Sequence, residues 1–269
     1  MPGRVVELFR QPFSVASPAQ RVIPSVEAEA FNLLIDRMGV RVSFAPKARI
    51  FHENDPAESI YKVVSGLVLT CKFLSDGRRQ VGGFYLPGDY FGFKCADAHT
   101  LSAEAVTNAQ VRVIKKRVLD AVGDRDAIER QLLLLTTREL VRVRERGLLL
   151  IKNAQERVGE FILEMEKRTK VGNSIQLPMK RQDIADYLGL TIETVSRILT
   201  SLETCAAIEL LTSHQIVLRS HSALRTAIKD QRKGALSNPH SLSNTTRKRL
   251  NRRHSVRTRV RQRVLPEAV

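Results

Sequence analysis

The stretch Gln182–Leu202, QDIADYLGLTIETVSRILTSL, constrains this chain more than any other, because it reads as two short helices joined by a tight turn. Ile184, Ala185 and Leu188 give the first helix one apolar face, and Gly189 can take the positive φ that a turn after a helix needs. Thr191 is a good N-cap for the second helix, with Thr194 three residues on. Val195, Ile198, Leu199 and Leu202 form that helix's buried stripe, which leaves Glu193, Thr194, Ser196, Arg197 and Ser201 on or near the open face. A helix-turn-helix places the first turns of its second helix in the major groove. There an arginine can bond guanine O6 and N7, and a glutamate can accept from cytosine N4. Glu193 and Arg197 are four apart and lie one above the other on one face. Alone, the pair reads as well as a surface ion pair. The apolar runs on either side of Gly189 and the polar open face turn the reading towards double-stranded DNA.

The rest of the chain falls into segments around this unit. Residues 1–24 hold Pro2, Pro12, Pro18 and Pro24 with weak periodicity and read as a loose arm. Ser25–Gly39 reads as a short amphipathic helix. From Val40 to about Lys116 the texture is that of short strands punctuated by turn signals, Asp76-Gly77 being a strong hairpin signal. This spacing suggests an antiparallel β-roll of about eight strands, closing a domain at 25–123. Residues 124–152 read as one long helix in which Ile128, Leu132, Leu135, Leu140, Val143, Gly147 and Leu150 recur at three to five. A helix this long and apolar between two domains either folds back on the roll of its own chain or wants a partner; the second reading is preferred, because a second copy would set two reading helices about 34 Å apart on successive turns of DNA. Ala154–Lys170 is a further helix, two short strands follow the helix-turn-helix as a wing, and Leu224–Lys229 closes the domain at 153–230. The fold class expected is α+β: an N-terminal roll of the cupin or cyclic-nucleotide-binding kind, a long dimerisation helix and a C-terminal winged helix-turn-helix.

Charge enters through the C-terminal segment. Residues 231–269 carry eleven Lys/Arg against one acid, whereas residues 1–230 carry 33 against 27. The segment reads as a disordered basic tail, and two readings of it stay open: an arm that adds phosphate contacts without sequence preference, or an extension with no selected role. Cys71, Cys95 and Cys205 fit no metal-ligand or disulfide spacing. No apolar run approaches the roughly 20 residues of a membrane span, and the N-terminus lacks a signal-peptide core. A cytoplasmic protein with no membrane association is expected.

With SGLVLTCKFLSDGRRQVGGFYLPGDYFG (65–92) and LPMKRQDIADYLGLTIETVSRIL (177–199) in hand, the chain resembles the Crp/Fnr superfamily of bacterial transcription regulators over residues 25–230. Within it the chain is most similar to the FixK branch, which controls micro-oxic and nitrogen-fixation genes. The resemblance implies a homodimeric activator that touches RNA polymerase. It implies a palindrome of TTGAT-type half-sites, with Arg197 on the guanine, Glu193 on the opposite cytosine and Ser196 on an outer thymine. It puts Lys180, Arg181, Gln182, Thr191 and Thr194 on phosphates.

The departures bear on the signal. Cyclic-AMP binders in the superfamily carry Gly-Glu after Pro-Gly-Asp and a later arginine for the phosphate. Here Gly92 is followed by Phe93, and residues 95–105 contain no arginine. Residues 1–70 contain no cysteine for an iron–sulfur cluster. His52, Glu53 and His99 do not form a metal set by spacing, so neither a cofactor nor catalysis is expected. The simplest expectation is a regulator governed by its own abundance. The alternative is a ligand-gated sensor of the same fold with a small molecule in the roll. Cys205, just after the reading helix, has two readings that stay open: a small residue at a helix end, or a redox site whose bulky or anionic adduct would oppose DNA binding.

Overall fold

The computed structural model describes residues 26–93, 97–121 and 125–236. The expected arm, Cys95 and most of the basic tail lie outside the described residues. A first helix, α1 (Val26–Met38), leads into eight strands: β1 (Val40–Phe44), β2 (Arg49–Phe51), β3 (Ser59–Ser65), β4 (Val68–Phe73), β5 (Arg79–Tyr85), β6 (Tyr90–Phe91), β7 (Ser102–Ala105) and β8 (Ala109–Lys115). They form two antiparallel four-stranded sheets, ordered β1-β8-β3-β6 and β2-β7-β4-β5. The expected roll is therefore present. Its β4–β5 hairpin turns at Asp76-Gly77, where Asp76 Oδ1 accepts from the Arg78 amide at 3.0 Å. Between the sheets the interior is filled with rings. Phe51 stacks on His99 at 3.7 Å, and Tyr61 and Tyr85 each lie 5.1 Å from Phe91.

After α2 (Lys116–Ala121) comes the long helix α3 (Arg125–Leu150). It has two opposite faces. Ile128, Gln131 and Leu149 are buried at the first, and Leu135 packs with Ile128 against the roll. On the same face Glu139 accepts from the Tyr85 hydroxyl at 2.7 Å, Arg142 pairs with Asp89 at 2.7 Å and Arg146 donates to the Gly82 carbonyl at 3.3 Å. This face repeats at three and four residues from 128 to 149, the helical period. The opposite face carries Leu133, 68% exposed, Leu140, 67% exposed, and the open Gly147, with Ile151, 81% exposed, just past the helix end. Leu133, Leu140 and Gly147 are seven apart, the repeat of a coiled-coil seam. The expected seam is thus divided. Ile128, Leu132 and Leu135 pack on their own roll, while Leu140, Val143 and Gly147 stay exposed. Leu150 is half-buried beside Gly189. Spacing alone had merged the two stripes because both have a helical period.

The second domain comprises α4 (Ala154–Thr169), β9 (Lys170–Val171), β10 (Ser174–Gln176), α5 (Arg181–Leu188), α6 (Ile192–Thr204), β11 (Ile208–Thr212), β12 (Gln215–Leu218) and α7 (His221–Leu236). Asn153 starts α4 with a reciprocal cap to Glu156. The wing is a four-stranded sheet, β11-β12-β10-β9, not a lone hairpin. The β9–β10 hairpin was not expected, although Gly172-Asn173 is a turn signal. Helix α7 runs to Leu236, past the expected boundary at 230. Its Leu224 and Ile228 pack against α4 at Gly159, where a Cβ would collide with Ile228. One apolar cluster joins the two domains: Leu69, Cys71, Val81 and Phe84 of the roll lie in it with Phe161, Ile162, Ile184 and Leu199.

Candidate nucleic-acid interface

The two helices expected at 182–202 are α5 and α6. Lys180 precedes α5, and its amide donates to Asp183 Oδ2 at 3.1 Å. Gly189 closes the helix in the left-handed region, φ 63° and ψ 41°, with its amide on the Ala185 carbonyl. Thr191 caps α6 by accepting from the Thr194 amide at 3.2 Å, and the two hydroxyls lie 3.1 Å apart. Val195, Leu199 and Leu202 are buried. Glu193, Ser196 and Arg197 are all exposed on the opposite side of the same helix.

Arg197 Nη2 lies 3.4 Å from Thr194 Oγ1, a long contact that leaves the guanidinium able to turn to another acceptor. Its own backbone amide and the Thr191 hydroxyl hold the Glu193 carboxyl below the usual carboxylate range, and Arg197 adds to this. Glu193 is therefore an anionic acceptor at neutral pH, and Arg197 a donor one turn further on. Around them lie the other expected DNA contacts. Lys180 and Gln182 are exposed, although Gln182 donates to Asp186 at 2.6 Å. Arg181 is half-buried, its Nη1 has no hydrogen-bond partner, and burial lowers its pKa. That nitrogen is buried from solvent, so it does not itself face a phosphate. Cys205 is exposed at the end of α6, and its thiol contacts the Leu202 carbonyl at 3.3 Å.

Sequence reasoning missed what fastens this unit to the rest of the chain. Arg157 on α4 donates to the carbonyls of Leu150 at 2.6 Å, Lys152 at 2.8 Å and Leu188 at 2.9 Å, tying the end of α3 to the end of α5. Arg168 bridges the Phe84 carbonyl at 3.0 Å and Asp89 at 2.7 Å. Tyr187 is buried against Phe84, 5.1 Å between ring centres, with Arg146 over its face at 5.2 Å. The one sequence signal was Asp183, Asp186 and Tyr187 at i, i+3 and i+4, a second face on α5 besides the apolar one.

Known proteins share both halves of this arrangement. Residues 41–126 match the cyclic nucleotide-binding domain, and residues 156–227 match the Crp-like helix-turn-helix domain. The nitrogen fixation regulation protein FixK of Azorhizobium caulinodans is 44% identical over 199 residues, 71% of this chain and 80% of that protein. The chain belongs to the Crp/Fnr family of transcription regulators. A second Crp/Fnr relative, FixK of Rhizobium meliloti, is 37% identical over 68% of this chain and 85% of its own. The solved structure of FixK2 from Bradyrhizobium japonicum superposes with a TM-score of 0.68 at 42% identity, over 71% of this chain and 97% of that one. Like these Crp/Fnr proteins, the chain is a FixK-like DNA-binding regulator, and α5 and α6 lie within the matched helix-turn-helix domain.

Proposed function

We propose that this regulator works in the cytoplasm as a homodimer. Each α6 reads one half of a TTGAT-type palindrome, and the dimer activates transcription by touching RNA polymerase. Arg197 bonds the guanine, Glu193 the opposite cytosine and Ser196 an outer thymine. Lys180, Arg181, Gln182, Thr191 and Thr194 hold phosphates and fix the register. The observation that carries this reading is the joint exposure of Glu193, Ser196 and Arg197 on one side of a helix whose other side is buried. The seam is the open face of α3, Leu133, Leu140, Val143 and Gly147, whose exposed apolar side chains support a second copy.

The domain match brings cyclic nucleotides to mind, yet we read the roll as binding none. Phe51, Tyr61, Phe91 and His99 pack as rings in its interior. No Glu follows Gly92, and no Arg lies between 95 and 105 to meet a cyclic phosphate. An anion buried there without such partners would be costly. Among the described residues no group of three or more His, Cys, Asp or Glu is placed to hold a metal. The test is a selection from a random DNA pool with the purified protein and no added metabolite. A symmetric TTGAT-type site should emerge. Enrichment only after adding a metabolite extract would replace this reading with a ligand-gated one.

A further inference from the structure

Strand β5 of the roll reaches across to the first helix of the helix-turn-helix. Arg79 Nε donates to Asp186 at 2.7 Å, its Nη2 to Asp183, and its Nη1 to Glu104 of the roll at 2.9 Å. All four side chains are largely buried, Arg79 at 21% exposed and Asp183 and Asp186 at about half that. Burial works against the Arg79 charge, but the hydrogen bonds to Asp186 and Asp183 and the charges of those two acids together outweigh it and raise the guanidinium's pKa. Next along the strand, Gln80 Nε2 donates to the Asp186 backbone carbonyl at 2.6 Å, and Phe84 supplies the ring against Tyr187. Helix α5 therefore has two buried faces. Ile184, Ala185 and Leu188 serve its own domain. Asp183, Asp186 and Tyr187 serve the roll.

The same acids touch the DNA-facing end of the helix. Asp183 also accepts the Lys180 amide, and Asp186 also accepts from Gln182. Lys180 and Gln182 are two of the proposed phosphate contacts. A guanidinium bound by several fixed acceptors has a set direction, unlike a lysine ammonium. Arg157 fastens the other end of α5 to the end of α3. The reading helix is thus fixed at both ends of its partner helix, once to the roll and once to the α3 helix.

We propose that Arg79 is a positioning residue for DNA binding. It sets the angle at which the DNA-binding domain leaves the roll, and so the separation of the two reading helices in the dimer. This rests on the dimer-and-palindrome reading above. A dimer with preset heads binds the second half-site at a high effective concentration, but only at one spacing. Changing the spacer by one base pair moves the second half-site by about 3.4 Å along the helix and turns it about the axis.

The experiment measures full-length protein on three DNAs: a palindrome of the selected spacing, the same palindrome with one base pair added, and a single half-site. Wild type should strongly prefer the first palindrome; its failure to do so would reject the palindrome reading itself, before any variant is compared. Arg79→Met should lose about tenfold on the palindrome, keep its half-site affinity, and discriminate less between the two spacings. Arg79→Met and Asp186→Asn together should lose less than the sum of the two, because both act through one contact. Equal losses on palindrome and half-site, or wild-type spacing preference, would overturn the proposal. Gln80→Ala removes the hydrogen bond to the Asp186 carbonyl and a long one to the neighbouring Val81 carbonyl, and strands no charge. If Arg79→Met does not fold, Gln80→Ala decides: a smaller shift in the same direction supports the proposal, and none overturns it.

Discussion

Arg197 occupies the middle of the exposed side of α6, one turn beyond Glu193, and neither side chain is used in the fold's core. Arg197→Ala should therefore leave stability nearly unchanged. It should cost about 1–3 kcal/mol of DNA binding and relax preference at the guanine position. Unchanged base preference in a binding-site selection would reject the assignment. Glu193 carries a pH consequence. Its carboxyl is held below the usual range, so it remains ionised above that lowered value and loses its charge only as pH falls through it. Discrimination at the paired cytosine should thus be the same at about pH 5.5 as at neutral pH, both being above the ordinary glutamate value of about 4.3. Base preference at that position fading already at pH 5.5 would mean that Glu193 titrates higher than its surroundings dictate. The reading residues were legible from spacing because a helix surface follows from local periodicity. Arg79 was not, since it meets Asp186 across 107 residues of sequence and neither flanking segment signals the other.

Helix α3 shows what periodicity can and cannot resolve. Its length and place between two domains were evident from sequence. Which apolar residues serve the roll and which face outward was not, because two opposed stripes of the same period overlay in one run of leucines. The structure separates them, with Ile128 and Leu149 inward and Leu133 and Leu140 outward. Charged substitutions at Leu140 and Val143, both exposed and both in the proposed seam, should then leave the fold intact. They should shift the protein to monomer by light scattering and weaken palindrome binding about 100-fold or more through lost avidity. A dimer that survives Leu140→Glu with Val143→Glu would move the seam elsewhere. The β9–β10 hairpin escaped sequence reading for another reason: with strands of two and three residues it gives no alternation to detect, and it is held by pairing with β12.

At the scale of the molecule, the roll and the winged domain share one apolar cluster and a set of arginine bridges, so the DNA-binding unit is not a loosely tethered head. Most of the basic excess falls late in the sequence: residues 231–269 hold eleven Lys/Arg, nine of them beyond Leu236, where α7 ends. Deleting residues 237–269 should lower affinity for random DNA and flatten its salt dependence by about 0.9 in log–log slope for each phosphate the tail neutralises. The selected site should stay the same, and a changed consensus would show that the tail reads bases. The central claim is that two copies of α6, each presenting Glu193 and Arg197, read a symmetric site together. Its most direct measurement is the affinity of purified full-length protein for a TTGAT-type palindrome and for a scrambled duplex of equal length, at physiological salt. The palindrome should bind about 1,000-fold or more tighter; equal affinity for the two would contradict the account.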